Sequence, residues 1–188
     1  MTDIIFNTET RSQFSLTPAP TKCSGYGLGA LIKDMKNPYG AEIGLAEGFT
    51  TEFLMNSNPT LQLYCIDPFV QYVDWNGNVL ERESIYREFC LRTESFKDRI
   101  KLIRKFSDDA VSDIPDNSLD FIFIDGLHTY DQVTKDMNNY YNKVKDGGIF
   151  AGHDYNVISA IHKAVNEFAA SKDKQVLETE CDVWYWRK

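Results

Sequence analysis

Two short stretches carry side chains that can move protons or hold a cation. In "FIFIDGLHTYDQV" the apolar run Phe121 to Ile124 breaks off at Asp125, with His128 three residues on. In "GGIFAGHDY" a second apolar run ends at His153-Asp154-Tyr155. A buried strand has no use for an unpaired carboxylate, because desolvating one is costly. An acid placed where such a run stops therefore faces a ligand edge. Asp125 and Asp154 together offer oxygen ligands to a divalent cation, with His128 or His153 nearby. His153 is alternatively a general base, since an imidazole titrates near neutral pH. A plain hydrogen-bonded polar set around water is the third reading. His128, at the start of a helix pattern, is as readily a structural hydrogen-bonder as a chemical group.

Three further stretches end apolar runs with polar or small residues. "EIGLAEGFTTEFL" places Glu42, Gly44 and Gly48 at a strand-to-helix turn, with Thr50 opening the helix. Its spacing is Gly-x-x-x-Gly, and Ala46 stands where a dinucleotide fold needs a second glycine near the diphosphate. "LYCIDPF" ends at Asp67, an acid able to accept from both hydroxyls of a ribose or simply to make the turn before Pro68. "IRKFSDDA" offers Ser107 and Asp108, either as helix caps or at a nucleobase edge.

The elements that must position these groups alternate. From Ala41 onward "AEIGLA", "LQLYCI", "IKLIRKF", "LDFIFI" and "GGIFAG" read as strands. Helical spacing separates them in "TTEFLMNS", residues 80–97, "TYDQVTKDMNNYYNKV" and "SAIHKAVNEFAASK". Alternation of this kind predicts an α/β fold with a doubly wound, mostly parallel sheet and helices on both faces. "KQVLETE" and "DVWYWRK" close the chain as a C-terminal antiparallel hairpin. In open α/β sheets ligands bind beyond the carboxyl ends of the strands. All the residues singled out fall there. Residues 1–40 differ: "SLTPAPTKCSGYGLG" is rich in Pro and Gly and reads as an irregular arm or cap, with a short helix near Leu28 to Met35. The expected organisation is this arm followed by one domain over 41–188.

Composition sets bounds. The 188 residues, 43% hydrophobic, suffice for one domain with a substantial core. A net charge of −8 and the absence of any basic block disfavour nucleic acid as a partner. Four scattered Cys with no Cys-x-x-Cys pair point to reduced thiols and against zinc. No stretch approaches the roughly 20 apolar residues of a membrane span, and the start lacks a secretory pattern. The expectation is a cytoplasmic protein with no membrane contact.

In order, "EIGLAEGFTT", "YCIDPF", "DFIFIDGLHTYDQVTKDM" and "DGGIFAGHDY" resemble the class I S-adenosylmethionine-dependent methyltransferases. The closer resemblance is to the branch with "IDG-x-H-x-Y-x-x-V-x-x-D" followed by "GG-x-x-x-x-HDY", akin to the macrocin and catechol O-methyltransferases. It covers about Ala41 to Tyr155 and implies a seven-stranded Rossmann-like sheet. It also implies S-adenosylmethionine as cofactor and Mg²⁺ in the metal-dependent relatives. Carried over by position, Glu42, Gly44 and Gly48 line the methionine part, with Thr50 in the same turn. Asp67 holds the ribose, and Ser107 with Asp108 sits by the adenine. Asp125 faces the cofactor's amino group or a metal, and Asp154 is a metal ligand. His128 and His153 fall on the family's His positions. The chain departs from the pattern at Lys105-Phe106-Ser107, where relatives read Gly-Asp-Ser or Gly-x-Ser. It departs again at Tyr155, where catechol-type enzymes carry Asn.

The leading expectation is methyl transfer to an oxygen of a small-molecule acceptor, catalysed by His153, Asp154 and His128. Phe69, Tyr72, Trp75 and Tyr155 are candidates for the acceptor wall, and the arm for a substrate lid or a homo-oligomer contact. The competing readings are a nicotinamide-dependent oxidoreductase and a non-catalytic nucleoside-binding module.

Overall fold

The structure, a computed structural model, describes residues 24–70, 72–73, 79–80 and 82–188. Helix α1 (Gly25–Ile32) leads into β1 (Tyr39–Ile43), α2 (Phe49–Ser57) and β2 (Gln62–Ile66). A two-stranded ribbon, β3 (Tyr72–Val73) and β4 (Val79–Leu80), precedes α3 (Arg82–Thr93) and β5 (Ile100–Ile103). Then follow α4 (Ser107–Ala110), β6 (Leu119–Ile124), α5 (Tyr130–Tyr140), β7 (Val144–Gly152) and α6 (Ser159–Ser171). A hairpin of β8 (Leu177–Thr179) and β9 (Val183–Arg187) ends the chain.

Seven strands form one sheet in the order β5-β2-β1-β6-β7-β9-β8. The first five are parallel; β9 runs antiparallel to β7 and to β8. The doubly wound sheet and reversed C-terminal hairpin expected from the sequence are both present. Successive side chains on a strand point to opposite faces, and the core divides accordingly. Ile122, Ile124 and Phe150 pack with Met137 and Tyr140 of α5 and Ile161 and Val165 of α6. Phe121, Phe123 and Ile149 pack on the other face with Leu28, Leu54 and Phe89 of α1, α2 and α3. Phe121 to Ile124 of β6 and Ile149 to Ala151 of β7 are buried on both sides, which is why they read as unbroken apolar runs rather than alternating ones.

Several boundaries differ from the sequence reading. The Gly-rich end of the expected arm is helical from Gly25, and its Leu28 and Ile32 are fully buried. Gly29 lets α1 lie against the Phe53 ring, where a Cβ would come within 2.7 Å. The same glycines that suggest irregular chain thus serve close helix packing. Strand β7 starts at Val144, ahead of the Gly147-Gly148 turn signal. Phe69 and Tyr155, candidates for an acceptor wall, are instead core residues, 4% and 7% exposed. Trp75 and the side chain of Tyr72 lie outside the described residues, as do residues 1–23. No helix among the described residues is long and apolar enough to cross a membrane.

Candidate active site

The chain departs from β1 in two directions, to β2 and β5 on one side and to β6 and β7 on the other. That reversal opens a crevice at the carboxyl ends of β1 and β6. The ladder runs on past the strands there. Gly44 N–H donates to Ile66 O (2.9 Å), Asp125 N–H to Ile43 O (2.8 Å) and His153 N–H to Ile124 O (3.2 Å). The residues that follow β1, β6 and β7 are thereby held at one edge.

Gly44 cannot be replaced at this edge by a residue with a side chain. Its φ is +85°, and a Cβ would lie 2.1 Å from the Asp125 carbonyl oxygen. Ala46 and Gly48 also have positive φ, at 43° and 85°, so the β1–α2 turn is wound tightly over the sheet end. Arg92 from α3 pins this turn from outside. Its Nε donates to Glu47 O (3.1 Å), its other nitrogens pair with Glu52 (2.9 Å) and Glu88 (2.8 Å), and its guanidinium covers the Phe49 ring. Thr50 opens α2 facing α1, 2.6 Å from the Ser24 hydroxyl.

Glu42 is 1% exposed and accepts from the Thr51 hydroxyl (2.7 Å). Burial pushes its pKa from 4.5 to about 8 against the Thr51 bond, and the negative charges of Asp125 and Asp67 push the same way. Asp67 spends one oxygen on Leu45 N–H (3.1 Å) and the other on Phe69 N–H (2.7 Å). It therefore makes the turn before Phe69 and ties the β2 end to the β1 turn. A carboxylate has about four acceptor positions, so these two bonds leave capacity for hydroxyl donors.

At the other side of the crevice four titratable side chains converge. His128 Nε2 lies 3.3 Å from Asp125 Oδ1 and 3.0 Å from Asp154 Oδ2. His153 Nδ1 lies 3.1 Å from Asp154 Oδ1 and 3.7 Å from Asp125 Oδ1. Register makes this possible, because β6 and β7 are neighbours with Ile124 opposite Gly152. Asp154 sits at φ 62°, a left-handed conformation that Asp tolerates better than most residues and that turns the chain off the strand. The other nitrogen of His153, Nε2, is 2.9 Å from Cys181 O in the β8–β9 turn. A carbonyl only accepts, so Nε2 carries the hydrogen.

The two carboxylates set the charge of this cluster. Bonds to Asp125 and Asp154 raise the His128 pKa to about 10 in spite of burial. Burial works against a charged His153, yet Asp154, Asp125 and the Cys181 carbonyl raise its pKa overall. Burial likewise works to raise Asp154, but the two imidazoles hold it well below the usual carboxylate range. At neutral pH His128 is therefore an imidazolium held against the Asp154 carboxylate. Asp125, His128 and Asp154 each offer a ligand atom, all within 4.8 Å of one another. Oxygen and imidazole donors at this spacing fit one divalent cation.

The sequence candidates thus divide. Glu42, Gly44, Asp67, Asp125, His128, His153 and Asp154 meet at the crevice. Asp108 turns to α5, its oxygens bonded to Lys135 (2.6 Å) and Asn139 (3.2 Å). The Ser107 hydroxyl accepts from Gln132 Nε2 (3.2 Å). Sequence reasoning passed over Arg92, Thr51, Gln132 and Asp136. Only Asp136 had a signal, as the last position of the quoted Asp-Gly-x-His motif.

The sheet order and the crevice at β1 and β6 define the fold of the class I S-adenosylmethionine-dependent methyltransferases. A family model described as a methyltransferase domain matches residues 41–155, more than half the chain. The chain belongs to this family. It is 29% identical over 142 residues to the uncharacterized protein R132 of Acanthamoeba polyphaga mimivirus, a match covering 70% of this chain and 61% of that one. It therefore spans less than two thirds of that relative's length. Among solved structures it resembles the O-methyltransferase NovP, with a TM-score of 0.63 and 17% identity over 87% of this chain and 77% of that one. It also resembles an S-adenosylmethionine-dependent O-methyltransferase from Thermotoga maritima, with a TM-score of 0.56 and 11% identity over 85% and 54% of the two chains. At these identities the likeness concerns the fold.

Proposed function

We propose that the chain transfers a methyl group from S-adenosylmethionine to an oxygen of a small-molecule acceptor, with a divalent cation at Asp125, His128 and Asp154. The observation that carries this reading is the convergence of those three side chains beside the Gly44 turn. The turn fits the cofactor's methionine end: without a Cβ, Gly44 lies against the Asp125 carbonyl, which draws Glu42, Asp67 and Asp125 around one crevice. Asp67 has the lone pairs to take ribose hydroxyls while keeping its two backbone bonds. Bound there, S-adenosylmethionine supplies an electrophilic methyl group, and a cation supplies charge stabilisation for the acceptor oxygen.

The chain's own groups do the rest. Asp125 and Asp154 hold the negative charge that attracts the cation. His153 braces Asp154 through Nδ1 while Cys181 O fixes its ring. His128 Nε2 would ligate the cation where one is bound, and would take the acceptor's proton only where none is. With its proton it bridges the carboxylates; a cation would take up the lone pair that the proton leaves, whereas rising pH without a cation frees it toward the crevice. Positioning the acceptor oxygen in line with the methyl group lowers the entropic part of the barrier.

The test is in two arms. Thermal unfolding with millimolar S-adenosylhomocysteine is expected to raise the melting temperature, whereas NAD leaves it unchanged. Labelled-methyl transfer to a panel of catechols and hydroxylated sugars is then compared with Mg²⁺ and with EDTA. A shift by NAD alone overturns the cofactor reading. Transfer that is insensitive to EDTA and to Asp154→Asn overturns the cation reading.

A further inference from the structure

Beneath the loop joining β6 to α5 lies a polar group that the proposed chemistry does not use. Asp136 is 1% exposed. Its Oδ1 accepts from Gln132 Nε2 at 3.0 Å, and its Oδ2 has no hydrogen-bond partner among the described residues. Burial pushes its pKa from 3.8 to about 6, against the Ser107 and Gln132 side chains. A buried, half-satisfied carboxylate costs stability. Its presence calls for a reason other than packing.

The reason lies in what a carboxylate does to a neighbouring amide. It only accepts, so it draws the amino end of Gln132 inward. The two hydrogens on Nε2 go to Asp136 (3.0 Å) and to Ser107 Oγ (3.2 Å). The amide oxygen of Gln132 is thereby left as the acceptor pointing away from both. Two large apolar side chains stand exposed on the adjoining loops, Phe106 beside Ser107 at 56% and Leu127 beside Asp125 at 57%. Exposed apolar surface next to a fixed hydrogen-bonding group suits a flat heterocycle read along one edge.

We propose that Asp136 is a positioning residue that locks the Gln132 amide, so that Oε1 accepts from the 6-amino group of a purine packed against Phe106 and Leu127. This rests on the cofactor reading above and extends it to base selection. An adenine offers a donor at that edge; a hypoxanthine offers an acceptor, which would face Gln132 Oε1 unpaired. The site therefore selects the adenosyl over the inosyl form of the cofactor.

Calorimetric binding of S-adenosylhomocysteine and S-inosylhomocysteine tests this. The full chain is expected to favour the adenosyl compound by about tenfold or more. Asp136→Asn gives Gln132 a partner that can donate, so the amide can turn. Discrimination is then expected to fall to about threefold or less, with a smaller loss of adenosyl affinity. Gln132→Ala, at a half-buried surface position, is expected to do the same and serves if the Asn variant does not fold. Discrimination unchanged in the folded variants overturns the inference while leaving the cofactor reading intact. Failure of the unaltered chain to bind either compound overturns both.

Discussion

His128 Nε2 stands 3.0 Å from Asp154 Oδ2 and 3.3 Å from Asp125 Oδ1, bridging the ends of two adjacent parallel strands. One imidazole thus links the two carboxylates proposed to hold the cation. Its protonation sets the behaviour of the whole site.

Stability is expected to fall in alkaline solution because of that ring. Its folded pKa, about 10, is raised from 6.5. The stabilisation is therefore complete below pH 6.5 and is lost as pH rises through 10. Urea unfolding at pH 7 and pH 10 is expected to show this loss, and His128→Gln to reduce it. An equal loss in the variant would assign it to other groups.

Cation binding is expected to compete with the same proton. Affinity for Mn²⁺ or Mg²⁺, measured by calorimetry, should tighten from pH 7 to pH 9 with proton release. Asp154→Asn should weaken it about tenfold or more. Binding independent of pH would exclude His128 as a ligand.

Glu42 has the opposite character to an ordinary surface acid. Its pKa is raised from 4.5 to about 8, so the native state holds a proton that the unfolded chain releases. Its contribution is greatest below pH 4.5 and declines as pH rises through 8. Glu42→Gln keeps an acceptor for Thr51 and removes the titration. The variant is expected to unfold at higher urea than the parent at pH 8, on the order of 1 kcal/mol per pKa unit of the shift at most. A variant less stable at pH 8 would show that the carboxylate itself is needed there.

Gly44→Ala is expected to damage the crevice directly. The new methyl group would meet the Asp125 carbonyl at 2.1 Å, at a φ of +85° that alanine disfavours. The cost is about 2 kcal/mol or more, and binding of S-adenosylhomocysteine should be lost even in the folded fraction. Unchanged binding would place the cofactor elsewhere.

Arg92→Met should loosen the same turn from outside. It removes the bond to Glu47 O and leaves Glu52 and Glu88 without their shared cation. Chemical unfolding should register a loss of about 2–3 kcal/mol. The affinity for S-adenosylhomocysteine should fall with it. A stability loss at unchanged affinity would make Arg92 purely structural.

The sequence by itself determined the sheet and where its ligand edge lies. Phe121 to Ile124 and Ile149 to Ala151 are apolar throughout because central parallel strands are covered on both faces. An acid closing such a run, as Asp125 does, is legible as a candidate site residue since no packing argument places it there. Packing across the fold decided the rest. Helix α1 hides in a glycine-rich stretch, because Gly29 is required by the Phe53 ring of another helix rather than by a local turn. Arg92, Thr51 and Asp136 look like ordinary polar positions on amphipathic helices. Each is buried only because a second element lies over it, and no local spacing encodes that. The same holds for the charges. Side-chain identity says that His128 titrates near neutrality; the meeting of Asp125 and Asp154, 29 residues apart in sequence, moves it to about 10. Periodicity fixes which way a side chain faces, whereas burial, pairing and pKa follow from what the rest of the chain brings against it.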